Sequence, residues 1–180
     1  RAAEEGDVAD GGGGAHAGDH LQLLYHFWLT RDMLAGGTPW FHNLYEFNTG
    51  DDAARRVVDP GYVPFSLVYA ALSPWLGHAA GWNLAQLLAL LLAAGLLAAL
   101  ARRHARGPVP ALLATAQSLC LPYAWITLAT GSPTGFGMAL VPGIALGLDV
   151  AVRDGRRRGG WLAGVALLLC YTTDLHCFFF

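Results

Sequence analysis

From residue 63 onward apolar residues run almost unbroken, whereas the first third of the chain interleaves apolar and polar positions. The segment Gly18 to Asn43, GDHLQLLYHFWLTRDMLAGGTPWFHN, sets Leu21, Leu24, Tyr25 and Trp28 at i, i+3, i+4 and i+7, the spacing of one helical stripe. Asp19, Gln22 and His26 recur on a different face at i, i+3 and i+7. Gly36 and Gly37 then supply the left-handed stop that commonly ends a helix, and Thr38-Pro39 forbids its continuation. The pattern predicts an amphipathic helix of about four to five turns. It is too polar to span a bilayer.

Residues 1–17, with four consecutive glycines and several acids, lack the apolar positions a packed face needs, so they read as a flexible solvated segment. Residues 18–62 form a loop that carries the amphipathic helix, and its aromatics, interleaved with Asn43, Glu46, Asn48, Asp51 and Asp52, suit a membrane surface. Two apolar blocks follow. Residues 63–80 are short and interrupted by Ser66, Pro74, Gly77 and His78, and are assigned to an interfacial or re-entrant helix in preference to a crossing. Residues 81–180 hold the spanning candidates, at about 82–101, 109–130, 133–152 and 160–180. The expected fold is all-α and integral to the membrane, a multipass helical bundle with an extracytoplasmic loop carrying amphipathic surface helices.

Composition agrees: of 180 residues 54% are hydrophobic and only 13% charged. Charge is also unevenly placed. Residues 1–62 hold ten acids against four arginines, and residues 63–180 three acids against seven arginines, which together give the net −2. Lysine is absent, a bias that suggests a GC-rich bacterial genome. The chain starts at Arg1 and stops at Phe180 inside an apolar run, as expected of a fragment truncated at both ends. Cys120, Cys170 and Cys177 lie in apolar segments without ligand spacing, and read as small membrane-buried residues.

Sidedness follows from the arginines. The positive-inside rule places both RRHAR at 102–106 and RDGRRR at 153–158 in the cytoplasm. The two passes between them turn at GSPTG, which an even number of crossings puts outside, and residues 1–62 are expected outside as well. The final helix then travels outward and delivers Asp174 and His176 to the outer face. Three polar groups are thereby expected on one surface: Asp19 with His20 and His26, the GSPTG turn, and Asp174 with His176.

Each has two readings. An ionisable residue inside a membrane segment is costly and marks a functional site by default, but Asp174 and His176 could equally lie hydrated among the headgroups. Asp19 stands where a helix N-cap belongs, and capping and chemistry can coexist. His20 and His26, six residues apart, do not share a helical face, which favours surface positions over metal ligands. Asp149 is expected solvated near the cytoplasmic arginines, and Gln117 and Ser118 between helices. The chain contains no phosphate-binding glycine loop, nucleophile elbow or HExxH motif, and nothing that suits nucleic acid.

The run GDHLQLLYHFWLTRDMLAGGTPWFHNLYEF, then a P-F-S-L block, then GWNLAQLLALLLAAG leading to an arginine pair, resembles the N-terminal part of bacterial multipass glycosyltransferases of the GT-C type, including the YfhO-like group. The resemblance covers roughly Gly18 to Arg103. It implies transfer of a sugar from a polyprenyl-phosphate donor to an unknown extracytoplasmic acceptor, in the bacterial inner (plasma) membrane, with the lipid bilayer as partner. It gives Asp19 the role of catalytic base or of contact to a divalent metal such as Mg or Mn, with His20, His26, Asp174 and His176 in the vicinity of substrate or metal. The chain departs from the pattern in one respect, since His20 follows Asp19 where many relatives have a second acid. The arginines available for the donor phosphate in the outer half are Arg31, Arg55 and Arg56. The alternatives are a multipass transporter or flippase subunit and a non-catalytic cell-envelope membrane protein.

Overall fold

The structure, a computed structural model, describes residues 20–43, 45 and 62–175. About four-fifths of these residues are helical, with no strand among them. The helices are α1 (His20–Leu34), α2 (Phe65–Leu76), α3 (His78–His104), α4 (Pro108–Leu119), α5 (Pro122–Ala129), α6 (Pro133–Met138), α7 (Val141–Asp154) and α8 (Arg157–Thr173).

Among the described residues two helical stretches are long and apolar enough to cross a membrane: α3, with 27 residues, and the 22-residue run Pro133–Asp154 formed by α6 and α7. A third arises if α4 and α5, bent by 50° where they meet, count as one broken span. Pro122 at the start of α5 explains the break, because it can neither donate into the preceding turn nor fit beneath it. Trp125 Nε1 donates to Leu119 O, a carbonyl next to the break, and Gln86 Nε2 of α3 donates to Leu128 O of α5 at 2.9 Å. The twelve-residue α2 is only about 18 Å long, well short of the hydrocarbon core. Gly77, at φ 81, separates α2 from α3 by a single-residue corner.

α3 runs about 40 Å from end to end. Its first turn meets α1 and α2, whereas Arg103 near its last turn meets Asp149 and Asp154 of α7. α8 leaves the arginine end and returns to the opposite one, where the Thr172 and Thr173 hydroxyls donate to Val63 O at 3.0 and 2.7 Å. It stops at Thr173. Asp174 has an extended backbone, so the helix expected over 160–180 is interrupted there.

The core lies at the end away from the arginines. Phe27 of α1 is fully buried, with ring centroids 5.9 Å from Tyr69, 5.1 Å from Trp82 and 5.4 Å from Phe136. One α1 side chain thus touches α2, α3 and α6. The most buried residues of α1 are Leu23, Phe27, Leu29 and Thr30, while of the predicted stripe Leu24 and Trp28 pack partly buried against the core and Leu21 is 68% exposed. Apolar residues occupy most of the circumference of this helix, so periodicity alone left its orientation open and the fit of Phe27 among three rings decided it. The predicted stop does occur: Gly36 takes φ 79, and Gly37 N–H donates back to Asp32 O at 3.0 Å.

Small residues bring α7 and α8 together. A Cβ on Gly147 would lie 2.4 Å from Ala163 N, and one on Gly159 2.3 Å from Ala151 N, so the two backbones touch there. Gly164, on the other face of α8, meets nothing within 4 Å. Gly147→Leu should therefore cost at least about 2 kcal/mol through forced separation of the pair, while Gly164→Leu should leave stability unchanged. Thermal unfolding of both variants in detergent checks this; equal midpoints would refute the close approach.

Phe27→Ala should cost about 3–5 kcal/mol, the usual range for emptying a buried aromatic site. It should also expose α1 to limited proteolysis at concentrations of protease that leave the parent chain intact. If α1 remained protected, Phe27 would not be what docks it.

Candidate functional site

The α1 end of the bundle concentrates the polar chemistry. The turn after α1 folds back on it: the Thr38 hydroxyl donates to Asp32 Oδ2, and the Tyr45 hydroxyl donates to the same oxygen at 3.2 Å. Gly37 leaves room for this carboxylate: a Cβ there would come within 2.3 Å of Asp32 Oδ1, which would have to shift. Tyr25 donates to Asn43 Oδ1, and Trp28 packs edge-on against Tyr45 at 5.0 Å. Helix stop, carboxylate and aromatic loop form one unit.

A second group of residues joins α1 to the segment entering α2 and to α8. The His26 ring lies 5.3 Å from that of Tyr62. Val63, the next residue, accepts the Thr172 and Thr173 hydroxyls, and Asp174 follows directly, only 7% exposed. A small cavity of about 180 Å³ between Gln22, Leu23, Tyr62 and Pro133 brings the GSPTG turn to the same place. His26 thus meets Tyr62, and Asp174 directly follows the two threonines that bond Val63. Of the other expected site residues, Asp19 and His176 lie outside the described residues, and His20 is described only as the first residue of α1.

A third group stands where α1, α2 and α3 converge. The Arg31 guanidinium lies 3.5 Å from His78 Nε2, and His78 Nδ1 faces the Tyr69 hydroxyl. Burial pushes the Tyr69 phenol above its ordinary pKa, against the pull of Arg31, which keeps it a neutral hydroxyl at physiological pH. An open cavity of about 280 Å³ lies beside these groups, lined by Leu21, Leu24, Tyr25, Trp28, Tyr69 and His78.

At the opposite end Asp149 is ion-paired with the arginines near which it was expected. It accepts from Arg103, lies 3.2 Å from His104 Nε2 and 3.5 Å from Arg153 Nε, and its side chain is 13% exposed; Arg103 also reaches Asp154 at 2.8 Å. The ends of α3 and α7, both negative by their backbone dipoles, are thereby surrounded by cations. A cavity of about 280 Å³ between α3, the α4–α5 elbow and α7 is walled mainly by Leu and Ala. Its Ser118 hydroxyl is engaged with Ala114 O at 2.8 Å. It offers a place for hydrocarbon, with no acid or base to do chemistry.

Among the described residues no group of three His, Cys, Asp or Glu side chains converges as a metal site; Asp19, on which the expected metal contact falls, is not among them. Sequence reasoning passed over Asp32, Tyr69 and His78 as site residues. Asp32 carries a legible signal, since an acid four to six residues before a Gly-Gly-Thr-Pro stop can fold back onto it. The meeting of Tyr69, His78 and Arg31 leaves no such mark, because it depends on the Gly77 corner. Comparison of the chain with protein-family models, curated proteins and solved structures gives no match.

Asp32→Ala should strand the Thr38 hydroxyl, which is 2% exposed, and cost about 1–3 kcal/mol. Amide exchange over residues 38–43 should accelerate while exchange in α3 stays slow. Unchanged exchange in that turn would show that Asp32 does not hold it.

Proposed function

We propose that the chain is part of a GT-C-like glycosyltransferase of the bacterial plasma membrane. In this reading α1 and its turn lie on the extracytoplasmic side, and the site transfers a sugar from a polyprenyl-phosphate donor to an acceptor there. The observation that carries the reading is the docking of α1 through Phe27 at the end of the bundle away from the arginines. Arg103, Arg153 and Arg156 gather at one end, and the polar and aromatic groups of α1, Tyr62 and α8 gather at the other. The positive-inside rule assigns the first end to the cytoplasm.

Asp19 directly precedes α1 in sequence. As a carboxylate it would take the acceptor's hydroxyl proton while the donor's anomeric C–O bond to phosphate breaks, and cationic groups would stabilise the departing phosphate. A divalent ion held with the help of Asp19 would serve the same end. His26 and Asp174 would then position substrate, not transfer protons.

Asp19→Asn should abolish sugar transfer from a lipid-linked donor, a loss of about a hundredfold or more, with expression and membrane insertion intact; full activity would remove Asp19 from the mechanism. Single cysteines at positions 18 and 157, with native cysteines replaced, test sidedness in intact cells. A membrane-impermeant thiol reagent should label position 18 and spare position 157, and the reverse pattern would overturn the proposal.

A further inference from the structure

We infer that the groove between α3 and α4 holds one anionic phospholipid of the surrounding bilayer, its acyl chain along α3 and its headgroup at the arginine end of the bundle. The inference rests on the chain lying in a membrane and not on sugar transfer, and it concerns the end opposite α1.

Two cavities lie end to end along α3. The one of about 280 Å³ at the α4–α5 elbow and a second of about 120 Å³, nearer the arginines, share Leu97 and Ser118 as walls. On α3 these walls include Ala89, Ala93, Leu97, Ala101 and His104, which recur at helical spacing as one stripe about 22 Å long. One leaflet contributes about 15 Å of hydrocarbon, half the apolar thickness of a bilayer. A single acyl chain entering from the arginine end therefore stays within the stripe. Leu121 and Trp125, at the elbow, are 54% and 47% exposed, so the groove is open laterally, the direction from which a lipid enters. A helix with its side chains is about 10 Å across and does not fit cavities of this size, whereas a flexible chain does.

Charge at the mouth selects the headgroup. From Arg102 to Arg158 the chain carries seven arginines against two acids, Asp149 and Asp154, a surplus of five positive charges. Both acids are engaged by Arg103, Arg153 and Arg156. His104, which ends α3 and walls the groove, lies against Asp149 as well. Arg106 is exposed in the short connection from α3 to α4, the two helices that form the groove. An arginine at a membrane surface strengthens the attraction of anionic lipid about fivefold, and its planar fork matches two phosphate oxygens. A zwitterionic headgroup brings its own cation and gains little from the surplus.

Binding of dioctanoyl phosphatidylglycerol to the full chain in a neutral maltoside detergent tests this, with dioctanoyl phosphatidylcholine and glycerophosphate as companion probes. The phosphatidylglycerol should bind roughly tenfold or more tightly than the phosphatidylcholine. Arg106→Gln should weaken the phosphatidylglycerol about fivefold and leave the phosphatidylcholine unchanged, and Arg106→Lys should recover most of the loss, which separates charge from misfolding. Ala114→Phe, which fills the narrower cavity, should weaken both lipids and leave glycerophosphate unaffected. Equal binding of the two lipids, or no effect of Arg106→Gln, would overturn the headgroup assignment and with it the inference. Lipid binding unchanged by Ala114→Phe would place the acyl chain elsewhere and overturn it too. Glycerophosphate binding as tightly as the phosphatidylglycerol would overturn the lipid and leave a soluble-phosphate site.

Discussion

Phe27 is inserted between Tyr69, Trp82 and Phe136, and through them α1 is fixed to three other helices. Edge-on and tilted aromatic pairs add about 0.5–1.5 kcal/mol each beyond the area they bury, and here they converge on one ring. Because that ring is inward, the faces either side of it are fixed too. Leu21, Leu24 and Trp28 turn to an open cavity on one flank, and Gln22 and His26 approach Pro133 and Tyr62 on the other. The polar groups of α1 inherit their positions from an apolar contact.

The two ends of the bundle solve different electrostatic problems. At the arginine end, parallel α3 and α7 finish side by side, and Asp149 and Asp154 are interleaved with Arg103, His104, Arg153 and Arg156. Charges are matched there. At the α1 end the described acids and cations are held apart: Asp32 is satisfied by hydroxyls, and Arg31 by an imidazole.

Between the ends, packing relies on small residues. Gly147 and Gly159 let α7 and α8 approach closely enough for backbone contact, and Gly143 leaves room for Ala166 and Leu96 side chains. Gly135 does the same for the turn from α5 to α6, where a Cβ would meet Leu128 N at 2.5 Å. That tight turn brings Phe136 back to the ring cluster.

Sequence alone determined the apolar class of the chain, because long runs of Leu and Ala leave no other way to satisfy backbone groups in an apolar surround than helices. It also determined where α1 stops, since Gly36 and Pro39 act through their own backbone limits and need no neighbour. The helices near 82–101 and 133–152, long and apolar enough to cross a membrane, were legible for the same reason, while the 50° break inside 109–130 follows from Pro122 and was readable in principle. Tertiary structure decided which face of α1 is inside, because a helix apolar on several faces has no preferred one until a specific cavity accepts Phe27. It also decided that Asp149 is ion-paired and that Arg31, His78 and Tyr69 meet, although 47 residues separate Arg31 from His78. Those meetings depend on the one-residue corner at Gly77 and on parallel α3 and α7, geometry that no local pattern encodes.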